Sequence, residues 1–210
     1  MNDALTYDLE DPVVDAAMRI ARRLQEAGYQ ALWVGGCVRD LLLGYPPKDI
    51  DVATDALPEQ VQALFDKTRA VGAQFGVVLV IIDEIATEVA TFRTEGDYRD
   101  ARRPSTVEFA TAEEDAHRRD FTFNALYYDP VAGEILDFVD GKQDLTDGIL
   151  RAIGDPSERF HEDALRLLRA IRFAMRFSFE IEENTWNAIR ENVARIALIS
   201  PERIREELTR

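Results

Sequence analysis

The stretch Leu32 to Ala53, LWVGGCVRDLLLGYPPKDIDVA, constrains this chain more than any other. An apolar strand runs into Gly35-Gly36, a short helix follows, and Gly44 with Pro46-Pro47 ends it. The next strand then presents Asp49 and Asp51. Two glycines let a backbone approach phosphate oxygens closely, and the helix behind them points its free N–H groups at an anion. Residues i and i+2 of a strand share a face, so Asp49 and Asp51 project together while Ile50 and Val52 enter the core. Alone, a glycine pair is a tight turn and D-x-D is a solvated edge. At this spacing they point to two-metal phosphoryl chemistry, in which carboxylate oxygens hold Mg²⁺ against a triphosphate.

Composition bounds the alternatives. A chain of 210 residues with 46% hydrophobic residues can bury a good core as one large domain or two small ones. No apolar run is long enough to span a bilayer, and the acidic stretch Met1 to Asp15 is unlike a signal peptide, so the cytoplasm is the expected compartment. The single cysteine, Cys37, excludes an intrachain disulfide, and with two isolated histidines it leaves no zinc cluster. A net charge of −15 repels polyanions, but the basic residues are mostly arginines in local clusters, suited to bidentate phosphate contacts.

Along the chain, Asp11-Pro12 and Gly28 bracket a helix from Pro12 to Ala27, and Leu57-Pro58 opens another to about Asp66. Phe75 to Ile82 and Ile85 to Arg93 read as a hairpin joined at Asp83-Glu84. Glu88 lies within the second of these strands, where a carboxylate either faces solvent or needs a partner. Thr94 to Ser105 is a charged, aperiodic loop. Thr111 and Glu114 form a capping box for a helix toward His117, followed by Arg118-Arg119-Asp120-Phe121-Thr122-Phe123-Asn124-Ala125. Tyr127 to Asp140 gives two short strands around Pro130 and Gly133. From Glu162 the period turns helical and strands stop, which puts a boundary near Arg151. Leu165, Leu168 and Ile171 line one side of the next helix, and Arg166, Arg169, Arg172 and Arg176 form a stripe that reads as an anion-facing surface. Asn184 to Arg195 makes another helix, and Ser200-Pro201 opens a last one.

Three of these strings carry a resemblance. GGCVRDLLLG with KDIDVAT, RRDFTFNA, and EDALRLLR resemble motifs of the class II tRNA nucleotidyltransferases and bacterial poly(A) polymerases, a branch of the DNA polymerase beta-like superfamily. The resemblance implies an α/β nucleotidyltransferase head with a mixed sheet (residues 1–150) and an all-α neck (151–210), with the body and tail helices of family members expected to be lacking. It implies transfer of CMP and AMP from CTP and ATP to the 3′ end of tRNA, with Mg²⁺ on Asp49 and Asp51 and Glu88 as a third carboxylate. Gly35, Gly36, Arg39, Arg118, Arg119, Asp120, Asn124 and Arg169 are then expected around the nucleotide, and the loop 94–105 assists adenosine addition. Asp163 and Arg166, three apart on one helix, would read the base. Asp163 would accept from the exocyclic amine of cytosine or adenine while Arg166 donates to the ring nitrogen. An arginine-rich signature of the poly(A) polymerases is missing where this chain has GAQFGVVLV, which favours tRNA end maturation. A-adding, CC-adding and poly(A)-adding enzymes stay as alternatives, as does an inactive RNA-binding module. A nucleotide hydrolase is disfavoured, since no Walker-type lysine follows the glycines. Oligomeric state is left open.

Overall fold

The computed structural model describes residues 5–71, 76–95 and 107–209. The chain opens with helix α1 (Pro12–Glu26), strand β1 (Ala31–Val34), helix α2 (Gly36–Leu42), strand β2 (Asp51–Thr54) and helix α3 (Pro58–Leu64). Strands β3 (Thr68–Ala70), β4 (Val77–Ile82), β5 (Ile85–Thr91), β6 (Arg93–Glu95) and β7 (Val107–Phe109) follow. Helix α4 (Ala112–His117), a 3₁₀ turn over Thr122–Asn124, and strands β8 (Leu126–Asp129) and β9 (Glu134–Asp137) come next. Then come helix α5 (Gly141–Asp147), strand β10 (Ile149–Leu150), helices α6 (Pro156–Glu162) and α7 (Leu165–Phe177), and strand β11 (Glu180–Ile181). Helix α8 (Glu183–Asn192), a 3₁₀ stretch over Val193–Leu198, and helix α9 (Pro201–Leu208) complete the described chain.

Seven strands form one sheet in the order β3-β4-β5-β2-β1-β8-β9. All its pairings are antiparallel except β2 with β5, so the sheet is mixed, as expected. Both faces are covered. Ala31 and Trp33 of β1 pack with α1, while Leu32 and Val34 meet Phe92, Ala112, Ala116 and Tyr127 on the other side. A strand buried on both faces loses the polar alternation of a half-exposed one, which is why ALWV reads as an unbroken apolar run.

Local signals held where they were strong. Asp11 caps α1 by accepting from the Val13 N–H at 2.8 Å, and the Thr111–Glu114 capping box is complete at the start of α4. Each such cap stabilises its helix by about 1 kcal/mol. The β4–β5 hairpin turns on Asp83 and Glu84, both with positive φ, and their side chains pair with Arg19 and Lys67. The expected strand start at Phe75, and nearly all of the loop 94–105, lie outside the described residues.

The helical part differs from expectation in two ways. Strand β11 pairs in parallel with β10, so one short strand ties residues 180–181 back to 149–150. On α7 the buried positions are Arg166, Leu167, Ala170 and Phe173, whereas Ile171 is exposed and Leu165 and Leu168 are only half-buried. The aromatic rings explain that rotation. Phe173 stands edge-on to Phe121 and Phe123, and Phe123 also meets Phe177 and Phe179, so α7 turns its phenylalanine ridge toward the sheet side. The core therefore runs continuously from α1 to α8.

Candidate active site

Gly35 starts the site. It adopts φ 77° and ψ −128°, a conformation that glycine alone takes readily. A Cβ added there would stand 3.4 Å from Arg119 Nη1, so the bare backbone makes room for a guanidinium. Gly36 opens α2, and a Cβ on it would meet Arg39 Nη2 at 3.4 Å. Arg39, expected around the nucleotide, has its guanidinium turned into the protein. Its side chain is buried, donates to Asn124 Oδ1 at 2.5 Å and to Asp40 at 2.7 Å, and stacks on Phe173 and Phe177. Burial, only partly offset by Asp40, pulls its pKa below the usual arginine value.

The carboxylates come together through the sheet. Asp51 begins β2, Asp49 lies two residues earlier, and both are exposed at the strand mouth while Ile50 and Val52 are buried. Strand β5 runs parallel to β2 with Val52 opposite Val89, which sets Glu88 beside Asp51 on the same outward face. The protein packed around Asp51, then the charges of Glu88 and Asp49, push its pKa up to about 6, with Arg119 opposing. Three mutually repelling carboxylates favour a bound cation. Among the described residues no group of three or more His, Cys, Asp and Glu side chains is set to hold a metal by itself. Mg²⁺ commonly takes one or two carboxylates and completes its shell with water and substrate phosphates.

The Arg118-Arg119-Asp120 segment leaves α4 and passes beneath this mouth. Asp120, expected around the nucleotide, has both its oxygens occupied. Oδ1 accepts from the Phe121 N–H and Asn124 Nδ2, and Oδ2 takes Arg169 through Nε at 2.7 Å and Nη2 at 2.6 Å. Burial works against its charge, yet Arg169 and Arg166 hold its pKa below the carboxylate norm. Arg118 and Arg119 converge instead on Asp115, a buried carboxylate one turn back on α4.

The arginine stripe of α7 is not an open anion surface. Arg166 pairs with Glu162, Arg169 with Asp120, Arg172 with Glu207 at 2.5 Å, and Arg176 lies 3.8 Å from Asp40. In so acidic a chain each of these four arginines finds a carboxylate within 4 Å. Nor do Asp163 and Arg166 share one helix face. Asp163 ends α6 with extended backbone (φ −141°, ψ 107°), and α7 begins only at Leu165. Asp163 accepts from the Leu165 N–H at 3.0 Å and from Arg203 of α9 at 2.8 Å. Arg166 turns back to the carbonyls of Arg159 and Arg118.

The family model described as "Poly A polymerase head domain" matches residues 31–151, more than half of the chain. The chain belongs to the poly A polymerase head-domain family. A second model, "Probable RNA and SrmB- binding site of polymerase A", matches residues 178–210. The CCA-adding enzyme of Ligilactobacillus salivarius is 48% identical over 192 residues, covering 91% of this chain and 47% of that protein. The CCA-adding enzyme of Enterococcus faecalis is 48% identical over 195 residues, covering 92% and 48%. The crystal structure of the Bacillus stearothermophilus CCA-adding enzyme in complex with CTP matches with a TM-score of 0.85 at 43% identity, over 94% of this chain and 48% of that one. A Thermotoga maritima CCA-adding enzyme complexed with tRNA matches at 0.76 and 29%, over 94% and 47%. The chain thus spans about half the length of the curated relatives it matches.

In this member of the poly A polymerase head-domain family, three residues of the site were missed from sequence. Asp115 is the last of the run Glu113-Glu114-Asp115, where a solvated helix start is the ordinary reading. Tyr127 donates to Asp115 at 2.6 Å and lies under Arg119, 5.3 Å from ring centroid to guanidinium. Burial and Asp115 raise its pKa, although Arg119 opposes, which keeps the hydroxyl protonated as a donor. Arg203 had no signal at all, since its partner lies 40 residues away. Among the described residues no helix is long and apolar enough to cross a membrane.

Proposed function

We propose that this chain carries the catalytic head and base-reading neck of a tRNA nucleotidyltransferase. The head comprises residues 1–150 and the neck 151–210. It transfers CMP and AMP from CTP and ATP to the 3′ end of tRNA in the cytoplasm and releases pyrophosphate. The observation that carries this reading is the convergence of Asp49, Asp51 and Glu88 at one strand mouth, with Arg119 facing them across Gly35. The names of the relatives, CCA-adding enzymes bound to CTP, to ATP and to tRNA, support the choice of substrates.

In this reading Asp49 and Asp51 hold Mg²⁺, and Glu88 adds negative field beside them. Bound there, Mg²⁺ lowers the pKa of the attacking 3′-hydroxyl and stabilises the leaving pyrophosphate. Gly35 and Gly36 let the backbone approach the triphosphate, and Arg118 and Arg119 counter its charge. Asn124 sits between Arg39 and Asp120 and, with Arg169, fixes the floor under the sugar. Asp163 accepts from the exocyclic amine of cytosine or adenine, because a carboxylate offers about four lone-pair sites and the two bonds described above leave capacity. Arg166, whose guanidinium carries five N–H donors and also bonds Glu162 and the Arg159 and Arg118 carbonyls, donates to the neighbouring ring nitrogen. Uracil and guanine present a carbonyl and a ring N–H at those positions, and each mismatch costs roughly 1–3 kcal/mol.

The test is incubation with tRNA transcripts ending before CCA, after C and after CC, with each labelled nucleoside triphosphate in turn. Addition of C, C and A in order supports the reading. A alone, CC alone or a run of A identifies the corresponding partial or poly(A)-adding enzyme. No addition with any transcript, by folded protein with Mg²⁺, overturns it.

A further inference from the structure

Asp115 is the most heavily bonded carboxylate at the site, and nothing in the proposed chemistry uses it. Its side chain is 2% exposed. Oδ1 accepts from the backbone N–H of Arg93 at 3.2 Å and from Arg118 Nε at 2.8 Å. Oδ2 accepts from Arg119 Nε at 3.2 Å, Arg119 Nη2 at 2.9 Å and the Tyr127 hydroxyl at 2.6 Å. Burial alone would raise its pKa, but Arg119 and Arg118, with the Tyr127 hydroxyl, bring it down to about 2, so it is ionised. The geometry is that of a fork gripped at one edge. Asp115 takes Nε and Nη2 of Arg119, and Nη1 is the end that stands against Gly35.

An arginine beside the strand mouth that carries Asp51 has a competing conformation. Asp51 lies opposite Val34 in the β1–β2 ladder, one residue before the Gly35 against which Arg119 Nη1 stands. Released, its long side chain would fold onto Asp51 as a salt bridge and cancel a charge the site needs. A buried anion behind the guanidinium prevents this, because a desolvated pair in which Nε and Nη2 both donate to Oδ2 is stronger than a partly solvated alternative at the mouth.

We propose that Asp115 is a positioning residue that holds Arg119 against the glycine turn, aimed at the incoming triphosphate and kept off Asp51. The inference rests on the nucleotidyltransferase reading and adds a division of labour to it. Asp49 and Asp51 are left for the cation, Arg119 for phosphate, and Asp115 with Tyr127 keeps the two apart. Through the Arg93 N–H the same carboxylate also fixes the start of β6.

The experiment is a double-mutant cycle on the full chain, with CTP and ATP binding measured by calorimetry in the presence of Mg²⁺. Asp115→Asn keeps the shape but loses the charge and turns an acceptor into a donor. It is expected to weaken binding on the order of tenfold and to raise the Mg²⁺ concentration needed for half-maximal binding. In an Arg119→Gln background the same change is expected to cost less than about twofold, because there is no guanidinium left to position. A separate readout follows the Arg119 Nε–H resonance, expected to be slow to exchange with solvent in the parent and fast in Asp115→Asn. If Asp115→Asn does not fold, Arg119→Lys serves: it keeps the charge but cannot donate from two nitrogens at once, and a loss of about tenfold is expected. Additive losses in the cycle, unchanged affinity in Asp115→Asn, or parent-like binding by Arg119→Lys each overturn the proposal while leaving the nucleotidyltransferase reading intact. Absence of any CTP or ATP binding by the parent overturns both.

Discussion

Gly141→Ala is the change for which the structure gives the sharpest cost. Gly141 opens α5, and an added Cβ would stand 2.7 Å from the carbonyl carbon of Thr122, nearer still to its oxygen, and 3.2 Å from Leu126 Cδ2. Contacts with backbone cannot be relieved by a side-chain rotation. Either α5 must back away or the 3₁₀ turn over Thr122–Asn124 must move by about an ångström. Backing away breaks the bonds that the Gly141 and Lys142 N–H groups donate to Asp137 and that the Thr122 hydroxyl donates to Asp144. Overpacking of a rigid site costs about 1–3 kcal/mol, and with backbone at the two nearest contacts the upper end applies. For a chain of this size about 3 kcal/mol lowers Tm by roughly 6–12 °C. The turn also carries Asn124, which bonds Arg39 and Asp120, so CTP binding should weaken along with stability. Urea unfolding and thermal scans of the parent and Gly141→Ala measure the first effect, and calorimetry the second. A variant within about 0.5 kcal/mol of the parent, the range of an ordinary surface change, would refute the argument that α5 fixes this turn.

Three further outcomes are expected. Asp49→Asn or Asp51→Asn should abolish nucleotide transfer with the fold retained, since each removes an oxygen anion and keeps the shape; a folded variant with parental turnover rules out the cation assignment. Arg203→Ala should free Asp163 and admit UTP or GTP more readily than the parent, measured by misincorporation on a transcript ending after C; unchanged selectivity separates Arg203 from base reading. Asp115 has a folded pKa of about 2, below its ordinary value of 3.8, so its contribution to stability is complete above that ordinary value and is lost as pH falls toward 2. Stability plotted against pH should therefore drop less steeply between about pH 4 and pH 2 in Asp115→Asn than in the parent, and coincident slopes would contradict the pairing.

What the sequence by itself determined is what short-range geometry determines. The i, i+2 rule placed Asp49 and Asp51 together, Asp11-Pro12 and Thr111–Glu114 set two helix starts, and Asp83-Glu84 set a hairpin, because each depends on residues within a turn of one another. The tertiary structure alone decided which polar groups remain available. Parallel pairing of β2 with β5 brings Glu88 beside Asp51 across more than thirty residues of chain. Burial separates Asp115 from its acidic neighbours Glu113 and Glu114, although all three look alike in sequence. The helix break at Asp163 has no glycine or proline to announce it. It arises where the Asp163 carboxylate binds the Leu165 N–H and Arg203, a partner that only folding of α9 against α7 supplies. Pattern reading took the α7 arginines for an anion-facing surface, and the resemblance set Arg39 and Asp120 around the nucleotide. In the folded chain, desolvation demands a partner for each of them, and the nearest acidic or amide group of the protein provides it.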